Sequence, residues 1–377
     1  MSRKEECAMN YENLHELINR YEQNIAFYNN SDNEEIFKWE AVQTFQRVWF
    51  SSRMHDLSFA ELFRQATKDS SVLVDNRYIY PTSGIVKLAG IAEQEVRHLF
   101  ENILFAEDGG DLDLRQNNMD LFVEGFNKLL YQHFPTSYKY KQDRHAASCY
   151  LAMYAPDQNY IYKYSSAEAF AVYTEFGKDL GSGSTFRLCN YYELCDLVVE
   201  ALQEHPTLLD KHAALLEEKH YKTPGEKDCL RLLAFDIIYC ASAYKTFGGL
   251  TYRPKTEVIK DFENEQHRIK EEEERLAKIA AKEEEILQLE SELDTYRAIS
   301  LVGIQVTDKK FGVGTVISHS VDQICVAFAD VQKDYYLNTK YIWRPKFEDD
   351  AQLISAMMEY AAKIKEIEKL QKELKSL

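Results

Sequence analysis

Apolar positions recur at helical spacing through most of the first 250 residues. Leu14, Leu17, Ile18 and Tyr21 fall on one stripe and predict a helix within residues 1–29. The next stretch, NSDNE at 30–34, reads as a turn and a helix start, with Ser31 or Asn33 as the N-cap. Ile36, Phe37, Trp39, Ala41, Val42, Phe45, Val48 and Trp49 then trace a strongly amphipathic helix. Similar patterns predict helices over 59–67, 95–105, 112–131, 166–177, 191–203, 208–219 and 230–244. Pro81 is expected in a loop that leads to an apolar run at 85–88, and Asp111 is expected to cap the 112–131 helix. Residues 147–164, ASCYLAMYAPDQNYIYKY, change character. Two apolar-aromatic runs flank a Pro156-Asp157-Gln158-Asn159 turn and predict a hairpin, which makes the 1–250 region an α+β domain.

Beyond residue 255 the pattern simplifies. Residues 256–298 are Glu-rich, with apolar positions at Leu276, Ile279, Ile286, Leu289, Leu293 and Tyr296 that keep one face apolar. This predicts a helix roughly 60 Å long, either coiled-coil or a solvated single helix held by Glu/Lys pairs. Residues 350–377 repeat more regularly, with Leu353, Met357, Tyr360, Ile364, Ile367, Gln371 and Leu374 in alternating steps of four and three. The two seams can pair antiparallel within one chain or with copies of themselves, and the pattern does not choose. Between them, residues 301–346 alternate as four short strands, with Gly312 and Gly314 at a bend, and predict a small β-barrel. The expected architecture is therefore multi-domain and mainly α: an α+β domain at 1–250, an acidic coiled-coil helix at 256–298, a barrel at 301–346 and a heptad helix at 350–377.

Charge changes the picture of what this chain meets. The net charge is −17, which repels phosphates and disfavours non-specific nucleic-acid binding. The segment 301–346 is the exception, with 6 basic and 4 acidic residues. Seven cysteines are scattered without a CxxC pair, which predicts reduced thiols, a cytoplasmic setting and neither a disulfide framework nor structural zinc. The opening residues carry no apolar stretch of signal-peptide length, and no run approaches a membrane span.

Two resemblances follow from these segments. The residues Val306, Phe311, Gly312, Gly314, Val316, Ile324, Val326 and Phe328 form a VxxxxFGxGTV…IxVxF pattern. It resembles the SH3/Tudor-like barrels at the end of UvrD/PcrA-type helicases and in CarD-like transcription regulators. That resemblance implies a bacterial protein-docking module, with RNA polymerase as the partner class. The motifs EEIFKWEAVQTFQ, EVRHLFENILF, DLDLRQNNMDLF, YLAMYAPDQNYIYKY, NYYELCDLV and LLAFDIIYC, in that order, resemble the region preceding the motor in McrB-like AAA+ restriction proteins. This implies a recognition role toward DNA. No GxxxxGK[ST] occurs, and GSGSTF at 181–186 lacks the phosphate-reaching Lys, so a motor is not expected.

The remaining chemistry is sparse, and no catalytic residue, cofactor or metal ligand is assigned. Lys309, Lys310, Tyr335, Tyr336, Tyr341 and Trp343 are candidates for docking a protein partner, or for packing the barrel. Tyr138, Lys139, Tyr140, Lys141 and Lys163 interleave aromatic and basic groups as a nucleic-acid surface does, and as half-buried strands also do. Asp108, Asp111 and Asp113 lack EF-hand spacing and read as caps. A Cys149/His145 nucleophile pair and a nuclease built on Pro156-Asp157 with Glu217 to Lys219 are the remaining, weaker arrangements. The ten histidines show no HExxH or paired metal spacing, with His205 before Pro206 and His133 before Phe134 at helix ends. The expected role is a non-enzymatic adaptor; a motorless DNA-recognition component and an enzyme of another type are the alternatives.

Overall fold

The computed structural model describes residues 9–51, 56–222, 230–296, 299–320, 323–336, 346–347 and 351–377. These fall into two compact units, 1–264 and 265–377. No described helix is long and apolar enough to cross a membrane.

The regular elements among the first unit's described residues are all helices. Its helices are α1 (Tyr11–Tyr28), α2 (Phe37–Trp49), α3 (Phe59–Ala66), α4 (Ser71–Val74), α5 (Pro81–Ala89) and α6 (Glu93–His98). A π-helical turn, Leu99–Leu104, continues α6. Then come α7 (Leu112–His133), α8 (Arg144–Tyr154), α9 (Tyr164–Tyr173), α10 (Leu188–Leu202), α11 (Pro206–Glu218) and α12 (Arg231–Ala243). Asp111 caps α7, accepting from the amides of Asp113 and Leu114. Two local expectations fail. Ser31 and Asn33 cap nothing: Asn30 folds the turn by accepting the Asp32 and Asn33 amides, and α2 starts after Ile36 without a side-chain cap. Pro81 is not in a loop but opens α5, where its missing N–H costs nothing.

The hairpin expected at 147–164 is absent. Asp143 accepts the Ala146 amide and starts α8, whose residues from Ala146 to Met153 are all buried. A helix covered on every side shows no polar face, so its period is invisible in the sequence. The following segment, 159–163, has no regular secondary structure and pairs with no strand. Its backbone is held by side chains instead. Tyr162 N donates to Ser148 Oγ (2.8 Å), Tyr160 N donates to the Tyr192 hydroxyl (3.3 Å), and Ile161 O accepts from Tyr191. A buried irregular strip thus satisfies backbone groups without a sheet. The described part of this unit is α, not α+β.

Its core is aromatic. Phe100 lies 4.9 Å from Phe122 and 5.5 Å from Tyr150, edge to face or tilted, and Phe105 stacks on Tyr154 at 4.1 Å. Such offset contacts add to simple area burial.

The second unit contains most of α13 (Lys255–Leu293), a small antiparallel sheet and α14 (Ala351–Leu374). The strands are β1 (Gln305–Asp308), β2 (Gly312–His319), β3 (Gln323–Ala327), β4 (Gln332–Tyr336) and β5 (Lys346–Phe347), in the order β4-β3-β2-β1-β5. The two glycines of the FGxG stretch have separate reasons. Gly312 has φ +75°, which disfavours a side chain. A Cβ on Gly314 would stand 2.6 Å from Phe328 and 2.7 Å from Val326, inside the core. The core is small: Leu301, Val306, Val316, Ile324, Val326 and Phe328.

The helices α13 and α14 pack on each other through Ile286, Leu293, Ile367 and Leu370. Lys282 bonds Glu373, Glu292 bonds Lys363 and Tyr296 bonds Glu359, so the two run antiparallel within one chain.

Candidate functional sites

The docking residues expected on the small sheet begin with a turn. Asp308, buried at the end of β1, accepts from Lys310 N (2.7 Å), Phe311 N (3.2 Å) and the Tyr335 hydroxyl (3.0 Å). This carboxylate fixes the β1–β2 turn and ties it to β4, two strands away, so the sheet curls. Lys309 and Lys310 are thereby held outward and exposed. Phe311 packs inward on Phe328 at 5.6 Å, and its ring takes the ammonium groups of Lys310 and Lys333 at 5.3 and 5.5 Å. Lys333 belongs to this patch and was missed from sequence, because only the curl brings β4 to the turn. Tyr335 faces inward, and burial together with Asp308 pushes its phenol up to about 12. Tyr336 is 63% exposed on the other face of β4. Tyr341 and Trp343 lie outside the described residues.

The second candidate group divides. Tyr138, Lys139 and Tyr140 make one 3-10 turn. Tyr140 packs so closely on α5 that a Cβ on Gly84 would meet its carbonyl oxygen at 2.3 Å. Tyr138 is 68% exposed, and Lys87 and Lys139 flank the Tyr140 ring at 5.1 and 5.2 Å. Lys141 lines an 810 Å³ groove with Arg144, Tyr164 and the 182–184 loop. Lys163 lines a different cavity of 270 Å³ with Glu35, Phe37, Lys38, His145 and Tyr239. Its ammonium sits 4.5 Å from the Tyr239 ring, and burial lowers its pKa.

Behind that cavity lies an ion network that the sequence concealed. Lys38 (α2) is 1% exposed and bonds both Glu35 and Asp236 of α12. Tyr21 donates to Asp236 (2.5 Å), Tyr244 donates to Glu35 (2.6 Å), and Cys240 lies 3.7 Å from Asp236. Burial pulls the Lys38 pKa down, but Asp236, Cys240 and Glu35 outweigh it and hold the ammonium charged. Ligand atoms of Glu35, Asp236 and Cys240 all lie within 4.8 Å of one another. The ammonium supplies the positive charge there, so this set serves as a buried salt bridge rather than an open cation site. The only local signal was Glu35 three residues before Lys38, which reads as a surface helix pair.

The remaining groups are engaged structurally. Cys149 Sγ is 3.9 Å from both ring nitrogens of His145, but those nitrogens face Tyr162 O (2.8 Å) and Leu73 O (3.0 Å). Burial pushes the Cys149 thiol well up, which removes the thiolate that nucleophilic chemistry needs. Asp157 lines a 740 Å³ cavity with Asp108, Arg115, Asp196 and Arg231. There Asp108 is bound by both arms of Arg115, which holds its carboxyl below the usual range, and Asp196 takes the Tyr160 hydroxyl (2.6 Å) and Arg231 (3.1 Å). Glu217 to Lys219 lie at the end of α11 and do not line this cavity. Compared with known proteins, the chain matches no family model, no curated protein and no solved structure.

Proposed function

We propose that this protein is a non-catalytic adaptor whose second unit docks an acidic, partly apolar surface on a macromolecular machine. The observation that carries this reading is the pair of ammonium groups, Lys310 and Lys333, against the Phe311 ring with exposed Lys309 in the same turn, in a chain whose net charge is −17. Exposed ammonium groups beside a ring favour an acidic partner by charge complementarity. The finer description is a small SH3/Tudor-like barrel carried on a coiled-coil stalk. The Tyr335–Asp308 bond that curls the sheet supports the first part, and the antiparallel α13–α14 seam supports the second. The resemblance to helicase and CarD-like barrels makes RNA polymerase the first partner to test. The experiment is direct binding of the full chain to purified RNA polymerase after nuclease treatment. A Lys309→Glu, Lys310→Glu, Lys333→Glu variant is expected to lose binding at least tenfold. Equal binding by that variant, or none by the natural chain, overturns the reading.

A second reading follows the McrB-like resemblance and is a DNA-recognition component without its own motor. It is supported by exposed Tyr138 in the same turn as Tyr140, whose ring is flanked by Lys87 and Lys139. It requires DNA binding by the full chain that weakens with salt and falls in Lys87→Ala, Lys139→Ala. No gel shift at low salt, with modified or unmodified DNA, excludes it.

A further inference from the structure

His15 lies on α1 and His205 immediately precedes Pro206, the first residue of α11. They are 190 residues apart in sequence, yet His15 Nδ1 and His205 Nε2 stand 2.8 Å apart, with ring centroids at 5.1 Å. Two imidazole nitrogens at that distance share a single proton, one donating and the other accepting. The other nitrogen of His15, Nε2, lies 3.5 Å from Glu204 Oε2. When that nitrogen carries its proton toward the carboxylate, Nδ1 presents a lone pair to His205. This carboxylate–histidine pairing is how proteins commonly orient an imidazole toward a metal ion.

We propose that His15 and His205 bind a divalent ion of borderline softness, with zinc as the best fit, through His15 Nδ1 and His205 Nε2. Imidazole nitrogens about 2.0–2.1 Å from a tetrahedral zinc lie roughly 3.3 Å apart. The pair needs only a half-ångström opening, a small rotation of two side chains. On binding, His205 exchanges its Nε2 proton through solvent for one on Nδ1, so both rings stay neutral and His15 Nδ1 and His205 Nε2 each donate a lone pair to the ion. Water fills the remaining positions. The site is reachable, since both rings are partly exposed. The surrounding charge is favourable, with Glu204 and Glu22 nearby and Lys211 paired to Glu22 at 2.8 Å. Backbone bonds fix His205 on both sides: its amide donates to Leu202 O and its carbonyl accepts from Leu209 N.

The test is calorimetric titration of chelator-treated full-length protein with zinc chloride near neutral pH. One zinc per chain is expected. His15→Gln or His205→Gln should lose binding at least tenfold, Glu204→Gln should weaken it about tenfold, and His133→Gln should bind as the natural chain does. Mass spectrometry of the unmutated protein gives a reading independent of variant folding. Zinc should protect His15 and His205, and not His133, from diethylpyrocarbonate. Binding unchanged in both histidine variants, no stoichiometric binding, or no selective protection overturns the proposal.

Discussion

The two units handle charge in opposite ways. The first buries Lys38, Glu35 and Asp236 inside a broad aromatic core, while the second keeps its ion pairs, such as Lys282–Glu373 and Lys363–Glu292, on the partly exposed flanks of a helix seam. Size explains the contrast. A large core can surround an ion triad with enough donors to satisfy it, here two tyrosine hydroxyls and a thiol. A helix seam of four buried side chains has no such room. The first unit is therefore expected to be sensitive to unpaired charge, and the second to lost volume.

The largest effect is expected from Lys38→Met. It leaves Glu35 and Asp236 facing each other in the interior and should destabilise the first unit by about 3–5 kcal/mol. Chemical denaturation measures it, and a loss below about 1 kcal/mol would break the contrast. Next is Ile324→Ala, a cavity in the small core that should cost about 2–5 kcal/mol. Hydrogen exchange should show the loss of protection confined to β1–β4, and protection lost equally in α2 and α12 would show that the units unfold together.

The third prediction concerns pH. His212 (α11) is buried against Trp39, its Nδ1 has no hydrogen-bond partner among the described residues, and burial pushes its pKa down to about 4. The unfolded chain takes up this proton near pH 6.5 and the folded chain only near 4. The resulting stability is therefore complete above pH 6.5 and drains as pH falls through 4, by at most about 3 kcal/mol. His212→Leu should flatten this part of the stability profile, and an unchanged slope would refute it. The smallest effect is expected from Lys282→Ala, whose pair with Glu373 is partly exposed and screened. Its melting temperature should match that of the natural chain, and a clear drop would mean the helix seam depends on its charges more than on Ile286 and Ile367.

Most helices were legible because their apolar stripes face one core. The failures have particular causes. Helix α8 escaped the pattern because burial on all sides erased its period, and the 159–163 strip because an apolar-aromatic run reads the same whether a neighbouring strand or a set of side chains satisfies its backbone. Lys309 and Lys310 were legible as an exposed pair, since a turn displays its own side chains. Lys333 was not, because its place beside Phe311 depends on the curl of the sheet.

What the sequence determined by itself was local: the course of most amphipathic helices, the alternation of the small sheet, the bend at its glycines, and the acidic balance of the chain. These follow from periodicity, sterics and composition, which act over a few residues. Only the tertiary structure decided that α13 and α14 pair within one chain, that Lys38 meets Asp236 across 198 positions, and that His15 meets His205 across 190. Contacts at such separation leave no local trace, because no short-range pattern of residues encodes which distant side chain will fill a given space.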